Sequence, residues 1–267
     1  MRTLFFILFC CVASSVMAQE RIIAIHTEFG TMKFRLYNDT PKHRDMFIDL
    51  AEDKEYDGTL FYRVIQNFMI QGGSRDSKKA SRDRRIGYGN SDYMISDEIR
   101  KGHIHKRGAL CAPRQPDELN PFKESDISQF FIVQGRVYRP TELDTMELAI
   151  NRPIRKRIIK KIFTSEKRAK LKALKEAKDL DAARNLAAKI KQDINTEFKL
   201  ANGTLIFTKE QREAYTTVGG YPQLDGEYTI FGEMIEGDAI IDKIASLKTD
   251  KFDRPFKDVR IKVTVIK

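Results

Sequence analysis

The feature that most restricts the fold is a change in the spacing of apolar residues along the chain. On either side of residues 136–217 the apolar positions fall in short alternating or continuous runs, as strands require. Inside that stretch they recur every three or four residues, as helices require. Ile154, Ile158 and Ile162 repeat at i+4, and Leu180, Ala183, Ala187, Ile190, Ile194 and Phe198 follow an i, i+3, i+4 course. Both runs read as amphipathic helices, the first starting at Pro153 and the second preceded by a break and cap at Thr164-Ser165. Residues 136–217 are therefore expected to form an inserted helical arm.

Charge follows the same division. The 267-residue chain has 48 Lys+Arg against 38 Asp+Glu, but residues 136–217 alone hold 20 basic and 11 acidic residues. Nearly all of the formal +10 therefore belongs to one segment, and the remainder is close to neutral. Basic amphipathic helices dock on an acidic envelope protein or anionic lipid, or else form a solvated face that packs on the main body. Nucleic acid is not expected as a partner, because the N-terminus reads as an export signal. Met1-Arg2-Thr3 leads into an apolar run from Leu4 to Ala13 and then into small residues ending at Ala18. Cleavage after Ala18 would leave a periplasmic or secreted chain, with no later run near the roughly 20 apolar residues of a membrane span. Of three cysteines only Cys111 would remain, which excludes an internal disulfide, and its setting in Leu110-Cys111-Ala112 suits an inert buried thiol.

The outer segments are mainly β. Strands fit 21–28 and 31–37, joined as a hairpin by Phe29-Gly30, and also 60–64, 68–71, 108–112, 130–133, 229–234 and 259–266. Helices fit 41–53, with Thr40 as cap and Pro41 at the first position, and 238–246, with Ile240, Ile241 and Ile244 as the buried stripe. Many strands with two helices suggest an antiparallel barrel. The expected division is a signal peptide at 1–18, a first part of the main domain at 19–135, the arm at 136–217, and a second part at 218–267.

Three polar-aromatic blocks stand out: Leu60 to Gly73, Ser128 to Ile132, and Leu224 to Gly232. In the first, strand alternation puts Tyr62 and Val64 on one face and Phe61 and Arg63 on the other. His103 and His105 lack the companions a metal site needs, His26 and His43 are isolated, and Gly219-Gly220 reads as a turn. The carboxylates Asp97-Glu98, Asp117-Glu118 and Glu124-Asp126 are expected to be solvated.

The succession Phe-x-Arg-Val-Ile-x-x-Phe-Met-Ile-Gln-Gly-Gly, Ser-Gln-Phe-Phe-Ile and Leu-Asp-Gly-x-x-x-x-Phe-Gly resembles the cyclophilin family of peptidyl-prolyl cis-trans isomerases, over residues 21–135 and 218–266. The resemblance implies a closed eight-stranded antiparallel barrel capped by two helices, acting without metal or cofactor on proline-containing polypeptides. It implies a catalytic role for Arg63 and an orienting role for Gln71. Phe68, Met69 and Phe131 would floor a proline pocket, with Leu224 and Tyr228 as walls, Gln129 as a second polar contact, and Pro113 and Arg114 beside the bound peptide. The family often has His at the positions of Tyr62 and Tyr228, and Trp or His at Gln223, so altered peptide preference or lower efficiency is expected. The alternative is a catalytically weak chaperone module that holds peptides with the groove and the arm.

Overall fold

The computed structural model describes residues 20–87 and 93–266, so the expected signal peptide at 1–18 lies outside the described residues. Arg21–Thr27 (β1) and Gly30–Leu36 (β2) form a hairpin in unbroken register from Arg21↔Leu36 to Thr27↔Gly30. Helix α1 (Pro41–Glu52) follows. Thr40 occupies its cap position but makes no capping bond; its hydroxyl points back to the Tyr37 carbonyl at 3.4 Å, so the start rests on Pro41.

Next come β3 (Phe61–Ile65), β4 (Met69–Gly72), the short β5 (Met94–Ile95), β6 (Ala109–Cys111), the short β7 (Ser125–Asp126) and β8 (Phe130–Val133). Four helices then run in succession: α2 (Pro140–Ile162), α3 (Ser165–Glu176), α4 (Leu180–Leu200) and α5 (Lys209–Thr217). The chain ends with β9 (Ile230–Glu236), α6 (Asp238–Ala245) and β10 (Lys262–Val265).

Eight strands form one antiparallel sheet in the order β10-β1-β2-β9-β6-β8-β4-β3, and β5 pairs with β7 separately. The expected closed barrel is not completed. The edge strands β3 and β10 share no ladder, and the sheet curls until the segments ahead of them meet. There Leu60 bridges Arg260, Ile261 N–H donates to the Thr59 carbonyl at 2.8 Å, and Phe61 N–H donates to the Val259 carbonyl at 3.0 Å. Further along β3, the Val64 N–H donates instead to the Asp253 carbonyl at 2.8 Å, so a loop takes the place of β10.

The period of two divides the strands between two apolar clusters. Ile70, Leu110 and Ile132 face the main core with Phe34, Phe130 and Phe231, and α1 and α6 bring Phe47, Leu50, Ile241 and Ile244 to it. Their neighbours Met69, Cys111, Phe131 and Val133 form a second cluster on the outer face.

The helical stretch differs in detail from its sequence reading. α2 begins at Pro140 and runs through Pro153, which lacks an N–H and leaves the Ala149 carbonyl without its helical donor. Thr164 does cap a helix, but it is α3, which buries no side chain; α4 has its own cap in Asp179. α5 carries a capping box between Thr208 and Gln211. α2 and α4 pack on each other through the predicted apolar stripes, with Ile154, Ile158, Ala183 and Ile190 buried.

At the base of the helices Tyr138, Leu143, Phe207 and Tyr215 form a third buried cluster. The chain leaves and rejoins the sheet at one place, where Arg136 and Gly220 exchange backbone hydrogen bonds of 3.1 and 3.0 Å. Gly220 is more than a turn glycine: a Cβ there would strike the His105 carbonyl, and one on Gly135 would strike the backbone of Gly220.

Candidate active site

The site begins with an irregularity in β3. Phe61 pairs with Gly72 and Arg63 with Gln71, so the register slips by one residue between them, a β-bulge. The expected alternation therefore fails. Phe61 and Val64 both enter the core, while the consecutive Tyr62 and Arg63 both reach an outer groove. The groove has a volume of about 560 Å³.

Its floor and walls are Phe68, Met69, Phe131, Leu224 and Tyr228. β4 supplies Met69 and Gln71, and β8 places Phe131 directly opposite Gln71. Tyr228 stands edge-on to Phe131, with ring centroids 5.6 Å apart at 89°, and Phe68 is backed by Tyr221 at 4.4 Å. Apolar side chains thus line part of the groove, and polar groups line the rest.

Among the polar groups Arg63 is loosely held. Its Nε lies 3.6 Å from an Asp253 carboxylate oxygen and its Nη1 3.5 Å from Gln71 Oε1, both long contacts on a side chain 43% exposed. Most of its donors remain open to a ligand. Gln71 is fixed more firmly, because its Nε2 donates to the Tyr62 hydroxyl at 2.6 Å. Tyr62 in turn donates to Gln129 Oε1, and Gln129 Nε2 donates to Asp126 at 2.6 Å. Burial above all, then the nearby Asp126 and Asp76 carboxylates, push the Tyr62 phenol up, so it stays a donor to Gln129. The relay from Asp126 through Gln129 and Tyr62 sets the Gln71 amide with its oxygen toward Arg63.

Not every predicted residue reaches the groove as predicted. Gln129 is buried behind Tyr62 and does not line the groove, and Gln223 is exposed outside it. Pro113 lines the groove. Arg114 lines it too, but its guanidinium is occupied by the Glu227 carbonyl at 2.7 Å, the Glu227 carboxylate at 2.9 Å and Asp117 at 2.6 Å; it also lies 5.1 Å from the Tyr228 ring centre. That network holds the loops flanking the groove. Cys111 is buried under the floor, and burial holds its thiol well above the usual range.

Two carboxylates expected to be solvated are buried instead. Asp126 accepts from Ser128 as well as Gln129, and Glu98 accepts from the backbone and ring of His43 at 3.0 and 2.9 Å. His105 has an equivalent partner in Asp225, which accepts its N–H at 3.0 Å and its Nδ1 at 2.9 Å. Burial pushes both imidazoles below their ordinary pKa, against the pull of their carboxylates. Asp225 also accepts from Gln211 at 2.9 Å and Tyr215 at 2.7 Å, both on α5. It thereby ties the helices to the segment that carries Leu224 and Tyr228.

The sequence profile of the cyclophilin type peptidyl-prolyl cis-trans isomerases matches residues 22–152 and 151–265. The chain belongs to that family. Among relatives, a Staphylococcus haemolyticus protein assigned to the peptidyl-prolyl cis-trans isomerases is 28% identical over 240 residues, or 90% of this chain and 87% of that protein. A counterpart from Staphylococcus aureus strain USA300 is 27% identical over 90% of this chain and 88% of its own length. The fold matches a cyclophilin type isomerase of Cryptosporidium parvum with a TM-score of 0.52 at 19% identity, covering 93% of this chain and 99% of that one. As a cyclophilin, the chain is a peptidyl-prolyl cis-trans isomerase.

Sequence reasoning missed part of the groove. Arg84, Arg85, Lys251, Phe252 and Asp253 also line it, on loops whose approach to β3 depends on contacts far apart in sequence. The basic run Arg82-Asp83-Arg84-Arg85 was the available signal.

Proposed function

We propose that the chain isomerises X-Pro bonds in exported or envelope polypeptides by a non-covalent route, with Arg63 and Gln71 acting beside the apolar pocket of Phe68, Met69 and Phe131. Amide resonance sets a barrier of about 18–20 kcal/mol, and no bond need break to cross it. Twisting the bond ends conjugation and returns a lone pair to the proline nitrogen. A guanidinium aimed at that nitrogen stabilises the twisted state more than either planar isomer, which lowers the barrier. Arg suits this task because it stays charged and presents a rigid fork of donors.

The observation that carries the reading is the loosely held Arg63 guanidinium in the same groove as the apolar rings. In this reading Gln71, whose amide donates to Tyr62, holds a substrate carbonyl during rotation. A proline-bearing ligand is also in keeping with the related Cryptosporidium parvum protein, whose crystal structure was determined in the presence of the dipeptide Ala-Pro. Export rests on the pattern of residues 1–18, and the helices at 136–217 are read as an inserted basic arm. The charge excess of the arm suits an acidic envelope protein or anionic lipid.

The test is prolyl isomerisation of a short peptide by wild type and Arg63→Ala. Loss of an electrostatic donor of this kind lowers the rate roughly 10²–10³-fold. Equal rates would remove Arg63 from the mechanism.

A further inference from the structure

We infer that the Arg63 end of the groove is an anion subsite, built by Arg84, Arg85 and Lys251, which selects X-Pro bonds with a Glu or Asp nearby in the substrate. The inference rests on the reading that the groove takes a proline-bearing peptide, and it specifies which peptides.

The subsite is held in place by the buried Arg254 and the exposed Arg82. Arg254 donates to the Ser81 and Ala80 carbonyls at 2.9 and 3.3 Å while gripping both oxygens of Asp258. Arg82 donates to the Pro255 carbonyl at 2.6 Å and pairs with Asp258 at 3.0 Å. These bonds staple the loop at 80–82 to the loop at 250–258. The staple holds the next residues, Arg84 and Arg85, and Lys251 on the opposite loop, along the groove that contains Arg63.

Charge in the groove is unbalanced. Among the described residues its lining contains six cations, Arg63, Arg84, Arg85, Arg114, Lys251 and Arg254, and one carboxylate, Asp253. Arg114 and Arg254 are neutralised by Glu227, Asp117 and Asp258. Asp253 faces Arg63 at 3.6 Å, too far for a tight pair. Arg84, Arg85 and Lys251 are exposed and make no ion pair or side-chain hydrogen bond among the described residues; Lys251 only overlies the neighbouring Phe252 ring at 5.0 Å. Asp83 is exposed on the same loop but does not line the groove.

Several cations on and beside the sheet do have partners. Lys33 pairs with Glu236, Lys106 with Glu233, and Arg107 with Asp238 and Asp242. Three cations that line one groove without a partner among the described residues favour an incoming carboxylate and disfavour a basic residue.

The test uses full-length protein and a set of proline peptides with Glu or Gln at each position from two before to three after the proline. Both kcat/KM for isomerisation and equilibrium binding by fluorescence anisotropy are read. At low ionic strength, Glu is expected to exceed Gln roughly five-fold at one or more positions, with the ratio falling toward one at high salt. The same ratio should collapse in R84Q/R85Q, whose altered side chains are exposed and whose fold is checked by circular dichroism. Equal binding and turnover of Glu and Gln peptides at every position would overturn the subsite, as would a preference that survives R84Q/R85Q. Turnover of the Gln peptides by wild type but not by Arg63→Ala would leave the isomerase mechanism standing in that case. A Glu preference in binding with no turnover would do the reverse, keeping the subsite and refuting the mechanism.

Discussion

Replacing Asp225 by Asn tests the link between the helices and the groove wall. The carboxylate accepts four hydrogen bonds, two from His105 on one oxygen and one each from Gln211 and Tyr215 on the other. Asn keeps the size but turns one oxygen into a donor, so two of the four donors lose their acceptor whichever way the amide faces. Burial first, and Asp225 after it, push the Tyr215 phenol far up, so in the wild type its hydroxyl remains a donor. With each bond to a charged acceptor worth about 1.5–3 kcal/mol, and Tyr215 free to rotate and accept from the new amide, the net loss is about 3 kcal/mol. In a chain of this size that lowers the melting temperature by roughly 6–12 °C.

Thermal unfolding gives the global effect, and hydrogen exchange shows whether the amides of α5 and residues 221–228 open together. Because Leu224 and Tyr228 line the groove, KM for a proline peptide should rise as well. Tyr215→Phe alone removes a single donor to the carboxylate, at about 1.5–3 kcal/mol, and should add little once the carboxylate is gone, in the double variant Asp225→Asn/Tyr215→Phe. An Asp225→Asn protein that melts within a degree of wild type, or strictly additive effects of the two substitutions, would show that the carboxylate is not the tie.

Other outcomes follow from the same geometry. Tyr62→Phe removes the acceptor of Gln71 and the donor to Gln129, freeing the Gln71 amide to turn. The expected loss of about 1–2 kcal/mol corresponds to a roughly 5–30-fold fall in kcat/KM, and unchanged kinetics would argue against the relay. His43 and His105 have folded-state pKa values below their ordinary one, so the unfolded chain binds more protons in acid. Stability should hold above about pH 6.5 and decline as pH falls through the folded values, by at most about 1.4 kcal/mol per unit for each histidine. Urea unfolding at pH 7, 6 and 5 checks this, and a rise in stability toward pH 5 would contradict it.

The strands and the helices at 41–52 and 238–245 were legible because their apolar spacing matches the surface they bury. The same holds for α2 and α4 between Ile154 and Phe198. α3 and α5 were missed since neither presents an apolar stripe, and Pro153 misled because a long helix supported by α4 tolerates the lost hydrogen bond. At the site, the residue types in the three blocks marked the groove, but the bulge that turns Tyr62 and Arg63 to the same side has no signature in alternation. The pairing of Glu98 with His43 and of Asp225 with His105 joins residues far apart in the chain. Local polarity therefore described Glu98 as solvated when it is a buried acceptor, and gave no sign of the four bonds that meet at Asp225. The incomplete closure of the sheet was equally hidden, since it follows from the competition of the Asp253 carbonyl for a β3 amide.

The paired backbones of Arg136 and Gly220 make residues 137–219 equivalent, from the standpoint of the sheet, to the tip of a single hairpin. A turn of a few residues grafted across that rung would shorten the unfolded-state loop from roughly 80 residues to about four, a gain of about 3 kcal/mol in closure entropy. Against that gain stand the Gln211 and Tyr215 bonds to Asp225 and the cover that the third cluster gives Ile104. The stretch between Arg136 and Gly220 can thus change in length at little cost to the sheet, each doubling adding only about 0.6 kcal/mol of closure entropy.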